Sequence, residues 1–412
     1  MKRVQYSSAG ATTLESPINV YEDVLSLRDE MIENRRWFHA NPELSFKEFS
    51  TAAKIVEILK SYGITEIHEK VGQTGVIGII RGGAGNGPCV ALRADIDALP
   101  VLETADIPYK SKNEGVMHAC GHDGHIAGLL AAAKVLNTNK DKIKGVVKLF
   151  FQPAEEGYGG ACEMIKDGCL EEGKLGPRVD SIYGIHLWSF DRLGHIGCQD
   201  GAVMAASDKF VIDVYGKGGH GAAPQGTVDA IVEAASVVTA LQTIVSRNKD
   251  PLDTGVVTCG TINGGFGYNI IADHVQISGT ARSFTSSTRD LIKCRMGEIC
   301  CGIAHTYGGK IDVDYQHGYP PTVNSHPECV QIVRKASAKI VGDVRSQMPQ
   351  KTMGAEDFSY FMLERPGCFY FVGAALPGET RPHHKSVFDF DEDALLISSS
   401  TFISIIEDLI FV

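Results

Sequence analysis

A chain of 412 residues with 43% hydrophobic and 22% charged residues is an ordinary globular composition, long enough for two domains rather than one core. The net charge of −11, without a Lys/Arg-rich stripe, argues against nucleic acid or an anionic membrane as partner, and no apolar run approaches the ~20 residues of a membrane span. Eleven cysteines without framework spacing, Cys300 and Cys301 adjacent among them, indicate free thiols in a reducing compartment, the cytoplasm, with all but Cys120 expected to be simply buried.

Residues 1–19 are Ser/Thr-rich, contain Glu15 and lack an apolar signal-peptide core, so they read as a flexible tail rather than a targeting segment. From Val20 to Phe38 apolar positions recur at helical spacing; Asn41-Pro42 ends that pattern, and a second helix is predicted from Phe46 to Tyr62, closed by Gly63. Short buried strands at 75–80, 89–94, 146–151 and 181–186 surround a helix at 126–136, the rhythm of an α/β sheet. Beyond Gly201 the predicted order is strand (209–215), helix (227–245), strands (255–262 and 274–283), helix (287–307) and strand (310–315), the split βαβ arrangement of a ferredoxin-like domain. A helix at 327–341, a strand at 368–372 and a final helix from Asp391 follow. The expected fold is therefore α/β with two domains: a discontinuous mixed-sheet domain (20–203 and 319–412) interrupted by an inserted ferredoxin-like βαββαβ domain (204–318).

The run Met117-His-Ala-Cys-Gly-His-Asp-Gly-His125 packs one thiol, one carboxylate and three imidazoles directly before a helical segment, a density that suggests a metal site. Further ligand-type residues follow predicted strands: Asp95 and Asp97, Glu155 and Glu156, His186, and the pair His383-His384. In open α/β sheets, loops at the carboxyl ends of strands converge on one crevice. Adjacent Glu155 and Glu156 have a specific use there, since one carboxylate can bind metal while its neighbour takes a proton from water. GGAGNG (82–87) has no following helix and GKGGHG no Lys-Ser/Thr ending, which excludes nucleotide-binding fingerprints; neither His-Glu-x-x-His nor Gly-x-Ser-x-Gly occurs.

The segments RADIDALP (93–100), MHACGHDGH (117–125), FFQPAEEG (150–157), GIHLW (184–188), GKGGHGAAP (216–224), MGAEDF (353–358) and HHKSVFDFDED (383–393) resemble those of the two-metal peptidase family that unites aminoacylases with certain dipeptidases and carboxypeptidases. They are most similar to its amidohydrolase branch, which includes hippurate hydrolases, N-acyl-amino-acid amidohydrolases and auxin-conjugate hydrolases. The resemblance implies two divalent ions, zinc or manganese, held by Cys120, His122, Glu156, His186 and His384, with Glu155 as general base and an N-acyl amino acid or related small amino-acid conjugate as substrate; the alternatives are a dipeptidase or carboxypeptidase on the same scaffold, or a non-catalytic binding protein that keeps the fold. His384 is preferred to His383 because it stands four residues before Phe388, similar to the family's His-x-x-x-aromatic pattern. By the same resemblance Asp95 and Asp97 orient ligands, His220 of the inserted domain stabilises the oxyanion, Asn269 and Arg282 contact substrate, and that domain serves as lid and homodimer interface. Ala272 and Ser386 stand where the family often has proline.

Overall fold

A computed structural model describes residues 1–7, 17–347, 350–379 and 381–412. The chain forms two compact units, one of Met1–Gly201, Asn324–Gln350 and Tyr360–Val412, the other of Ala202–Val323 and Lys351–Ser359. The segment 351–359, placed by sequence with the first domain, thus clusters with the second unit.

The first unit is built on a mixed sheet of seven strands. Its members include β1 (Glu66–Val71), β2 (Gly75–Arg81), β3 (Cys89–Asp95), β4 (Val146–Gln152), β5 (Ser181–Arg192) and β6 (Gly367–Ala375), in the order β1-β2-β4-β3-β5-β6, with the short strand Ile196–Gly197 at the far edge. β3, β4, β5 and β6 run parallel, whereas β1, β2 and the edge strand are antiparallel to their neighbours. β3 is buried along its whole length, as a strand covered on both faces must be.

Two helices, His122–Thr138 and Ala394–Ile410, are apolar or small nearly all round and therefore lie inside the unit. Their close approach needs Gly128, where an added Cβ would stand 2.7 Å from the Ser398 hydroxyl. The helix expected from Val20 begins later: Ile18–Tyr21 is a strand paired antiparallel with Arg3–Tyr6, and Arg28–Ala40 forms the main helix. Burial of Ile18, Val20 and Tyr21 by this pairing overrides their helical spacing, and part of the expected tail is ordered strand; residues 8–16 of that tail lie outside the described residues. The second helix starts at Phe49 rather than Phe46, because Phe46 is left-handed at φ 60° and turns the chain inward first.

The second unit has a four-stranded antiparallel sheet in the order Gly255–Gly264, His274–Ser283, Ala206–Tyr215, Lys310–Gln316. With helices Ala230–Thr243 and Ser286–Tyr307 interleaved in sequence, this is the ferredoxin-like βαββαβ topology. Its core joins Phe210, Ile212 and Val214 of the sheet to Val237, Leu241, Ile292 and Met296 of the helices. The stretch Ala230–Asn248 is long and apolar enough to cross a membrane by length and composition only, and its apolar side has a place within the unit. Ala230, Ala234, Val237, Leu241 and Ile244 of this stretch are buried in the unit's core.

Candidate metal centre

Parallel strands deliver their ends to one place. Asp95 closes β3, the turn Pro153–Glu156 follows β4, His186 lies within β5, and His384 follows β6. Cys120 and His122 arrive on the loop that opens the helix His122–Thr138, where Gly121 takes φ 95°. Ligand-type atoms of Cys120, His122 and His186 fall within 4.8 Å of one another, as do those of Cys120, Glu156 and His384, and of His122, Glu155 and Glu156. The Cys120 thiol is 3.4 Å from His186 Nε2, and His384 Nε2 is 3.4 Å from Glu156 Oε1.

Hydrogen bonds fix which lone pairs face inward. His122 Nδ1 donates to the Asp97 carbonyl at 2.9 Å and His186 Nδ1 to the Leu187 carbonyl at 2.6 Å, so each presents Nε2 to the centre. His122 Nε2 and Glu156 Oε1 are both buried without a hydrogen-bond partner and stand 4.0 Å apart. That gap suits a cation with bonds of ~2 Å to each, and the mixed thiol, imidazole and carboxylate donor set suits a divalent transition ion. Burial alone would depress the His122 imidazole, but Asp95, Asp97 and Glu156 raise it to about 10, so the pocket favours positive charge at this point. Burial, reinforced by Glu156, Glu155 and Asp95, holds the Cys120 thiol well above its ordinary range; a cation among these groups would convert it to thiolate.

His383 does not share this role. Its Nε2 accepts from the Ser189 amide at 3.1 Å, its ring stacks on Trp188, and burial beside other imidazoles pushes it down to about 3. His384 reaches Glu156 because its backbone is left-handed at φ 62°, pinned by its amide donating to the Ala119 carbonyl at 2.7 Å.

Asp95 and Asp97 surround the cluster. Asp97 accepts from the Glu155 and Glu156 amides, each at 3.0 Å, and from Ser45 Oγ at 2.6 Å. Asp95 accepts from Arg93 at 2.8 Å and from His125 Nδ1. Sequence reasoning assigned His125 no role, and its bonds define one: with Nδ1 donating to Asp95 and Nε2 accepting from the Leu187 amide at 2.8 Å, it has no lone pair for a metal and joins β3 to β5. A second missed group is the fully buried Arg35, which donates to Asp123 at 2.8 Å, Asp389 at 2.7 Å and Glu392 at 3.2 Å. It ties the helix carrying His122 to the segment following His384. No local pattern marks it; the one hint is an arginine amid apolar helical positions.

The remaining sequence-predicted residues belong to the second unit. His220 is exposed on the two-residue strand Gly219–His220, paired antiparallel with Ile270–Ile271, and its Nδ1 accepts from the Ala222 amide at 3.1 Å. Asn269 is exposed beside it, its carbonyl accepting from the Gly221 amide at 2.8 Å. Arg282 is half-buried in strand His274–Ser283. Ala272, in the proline position, is fully buried next to that ribbon, and Ser386 bonds to Thr104 instead. All eleven cysteines are free, but Cys294 and Cys301 are exposed, which corrects the expectation of buried thiols throughout.

Residues 91–408 match the family model described as Peptidase family M20/M25/M40. The thermostable carboxypeptidase 2 of Saccharolobus solfataricus is 43% identical over 383 residues, covering 92% of this chain and 94% of that one. The hippurate hydrolase of Campylobacter jejuni is 38% identical over 385 residues, covering 93% and 97%. Among solved structures, the YXEP protein of Bacillus subtilis, a dinuclear metal-binding peptidase of family M20, aligns with a TM-score of 0.80 at 32% identity, covering 93% of this chain and 99% of that one. Family model, relatives and the donor set at the strand ends agree, and the chain belongs to the M20/M25/M40 peptidase family as a metal-dependent hydrolase.

Proposed function

We propose that this enzyme hydrolyses the amide bond of N-acyl amino acids, with Cys120, His122, Glu156, His186 and His384 holding two divalent ions and Glu155 serving as general base. The observation that carries the reading is the pair of buried atoms without hydrogen bonds, His122 Nε2 and Glu156 Oε1, beside a Glu155 that is 6% exposed and held by its own amide. Bound metal would supply Lewis-acid polarisation of the scissile carbonyl and a lowered pKa for water. The Glu155 carboxylate takes the proton of the attacking water and returns it to the amide nitrogen as the C–N bond breaks. His220 donates to the developing oxyanion, and Asn269 and Arg282 bind the substrate carboxylate. A thiolate ligand favours zinc, while the nitrogen and oxygen ligands also accept manganese.

A homodimer through the second unit is part of the reading. Ile231 and Val232 are exposed on the helix Ala230–Thr243, and strand Gly255–Gly264 is a free sheet edge. Eleven free thiols support a cytoplasmic location. The second reading, a carboxypeptidase or dipeptidase on the same scaffold, is favoured by the 43% identity to a carboxypeptidase. A panel of hippurate, N-acetyl-methionine and simple dipeptides separates the two: kcat/KM is expected to be higher for the acyl amino acids, and faster dipeptide cleavage would replace the first reading by the second.

A further inference from the structure

A carboxylate outside the metal cluster holds the turn that carries Glu155. Glu48 is fully buried at the start of the helix Phe49–Ser61, and its Oε1 accepts from the Ala154 amide at 2.9 Å while Oε2 accepts from Thr74 Oγ1 at 2.5 Å. Asp97 accepts the next two amides, those of Glu155 and Glu156. Three successive N–H groups of one turn therefore end on two buried carboxylates. The turn itself is under strain: Ala154 is left-handed at φ 52°, a conformation unfavourable for a residue with a Cβ. Its carbonyl is pinned by the Gly160 amide at 3.0 Å, and the chain at Gly160 lies so close to Pro153 that a Cβ there would sit 1.7 Å from the Pro153 carbonyl oxygen. The loop Ser45–Glu48 brackets this turn from outside, with Ser45 Oγ on Asp97 and Glu48 on Ala154.

Keeping an acid in such a place is costly, since burial and the neighbouring Asp97 charge push the Glu48 carboxyl up to about 7. An apolar side chain of similar length would serve helix packing equally well. What the carboxylate adds is a strong, two-point hold between Thr74 and the strained turn. We propose that Glu48 is a positioning residue of the hydrolytic reaction, fixing the Ala154–Glu156 backbone so that the Glu155 carboxylate is aimed at the attacking water. This role rests on the reading of Glu155 as general base.

The test uses full-length, metal-loaded Glu48→Ala, Glu48→Gln and Glu48→Met, with hippurate and N-acetyl-methionine as substrates and metal content, Tm, kcat and KM as readouts. Glu48→Ala is expected to lower kcat by about 10- to 100-fold, the usual effect of losing a group that orients a catalytic centre, with KM and metal content near wild type. Glu48→Gln keeps an acceptor for the Ala154 amide and is expected to recover most of kcat, whereas Glu48→Met, which fills the same space without an acceptor, is expected to stay as slow as Glu48→Ala. A folded Glu48→Ala enzyme with wild-type kcat, or a glutamine variant as slow as the alanine one, would overturn the proposal. Should Glu48→Ala fail to fold, Thr74→Val removes the hydroxyl that orients Glu48: a severalfold loss of kcat at constant KM supports the role, and an unchanged kcat refutes it. Glu155→Gln is measured alongside. Wild-type turnover in that variant brings down the general-base reading itself, whereas an inactive Glu155→Gln beside a fully active Glu48→Ala removes only the positioning role.

Discussion

The two sheets of this enzyme handle polar groups in opposite ways. In the first unit, strands buried on both faces end in acids and imidazoles that lie in the interior, where the groups around the cluster are held by others, Asp97 by two amides and a hydroxyl and His125 by Asp95 and an amide, while His122 Nε2 and Glu156 Oε1 are left without hydrogen bonds. In the second unit, Lys310–Gln316 alternates half-buried and exposed residues, and His220 and Asn269 stand in the open. Its chief buried ionic group is Asp208, which accepts from Arg289, from Tyr315 at 2.8 Å and from the Gly318 amide at 3.0 Å. The contrast teaches where chemistry and stability separate: the first unit buries its reactive groups and holds them rigidly, while the second uses its buried charge for folding and leaves its candidate reactive group on the surface.

Removal of divalent metal by a chelator tests this division most severely. Amide hydrolysis is expected to vanish and to return with zinc or manganese, as release of free amino acid reports; hydrolysis that persists in metal-free protein would break it. Next in size is His220→Ala, expected to lower kcat by about 10²- to 10³-fold, as loss of an oxyanion donor does, with Tm nearly unchanged because the side chain is exposed. A large fall in Tm with normal kcat would make this histidine structural.

Asp208→Asn is expected to show the converse, about 3 kcal/mol of lost stability in urea unfolding near pH 7, with kcat little changed. Burial alone would raise the Asp208 carboxyl, but the Arg289 and Tyr315 hydrogen bonds bring it below the ordinary range. A depressed carboxyl contributes stability above its unfolded pKa of ~3.9 and loses it as pH falls through the folded value. The stability gap between wild type and variant is therefore expected to narrow on acidification, and a gap constant with pH would contradict the assignment. Smallest of all is Cys301→Ser, an exposed thiol whose replacement is expected to change stability by less than about 0.5 kcal/mol and activity not at all.

The same contrast governs what could be read in the sequence. Strand His274–Ser283 and helix Pro327–Val341 were expected with these very bounds, because alternation and helical spacing are local signals. The ligand-type residues were legible for related reasons: Asp95, Asp97 and the pair Glu155-Glu156 follow hydrophobic strands, His186 lies within one, and Cys120 and His122 stand in a dense run before a helix. Strand Glu66–Val71 was missed, being polar and half-exposed at the sheet edge, with Lys70 left-handed at φ 61°. The roles of His125, Arg35 and Glu48 were also hidden, since they depend on partners 26 to 357 residues away. Choosing between His383 and His384 rested on a motif resemblance; in the structure His384 is left-handed at φ 62° and its Nε2 stands 3.4 Å from Glu156 Oε1.

The central claim is that a metal cluster and an adjacent carboxylate divide the work, one set of groups binding cations and Glu155 moving the proton. Glu155→Gln, assayed for metal content by elemental analysis and for hydrolysis of hippurate and N-acetyl-methionine, tests it most directly. The account predicts wild-type metal content with kcat lowered by about 10²- to 10⁴-fold, the range for loss of a general base. Turnover at the wild-type rate by this metal-loaded variant would contradict it.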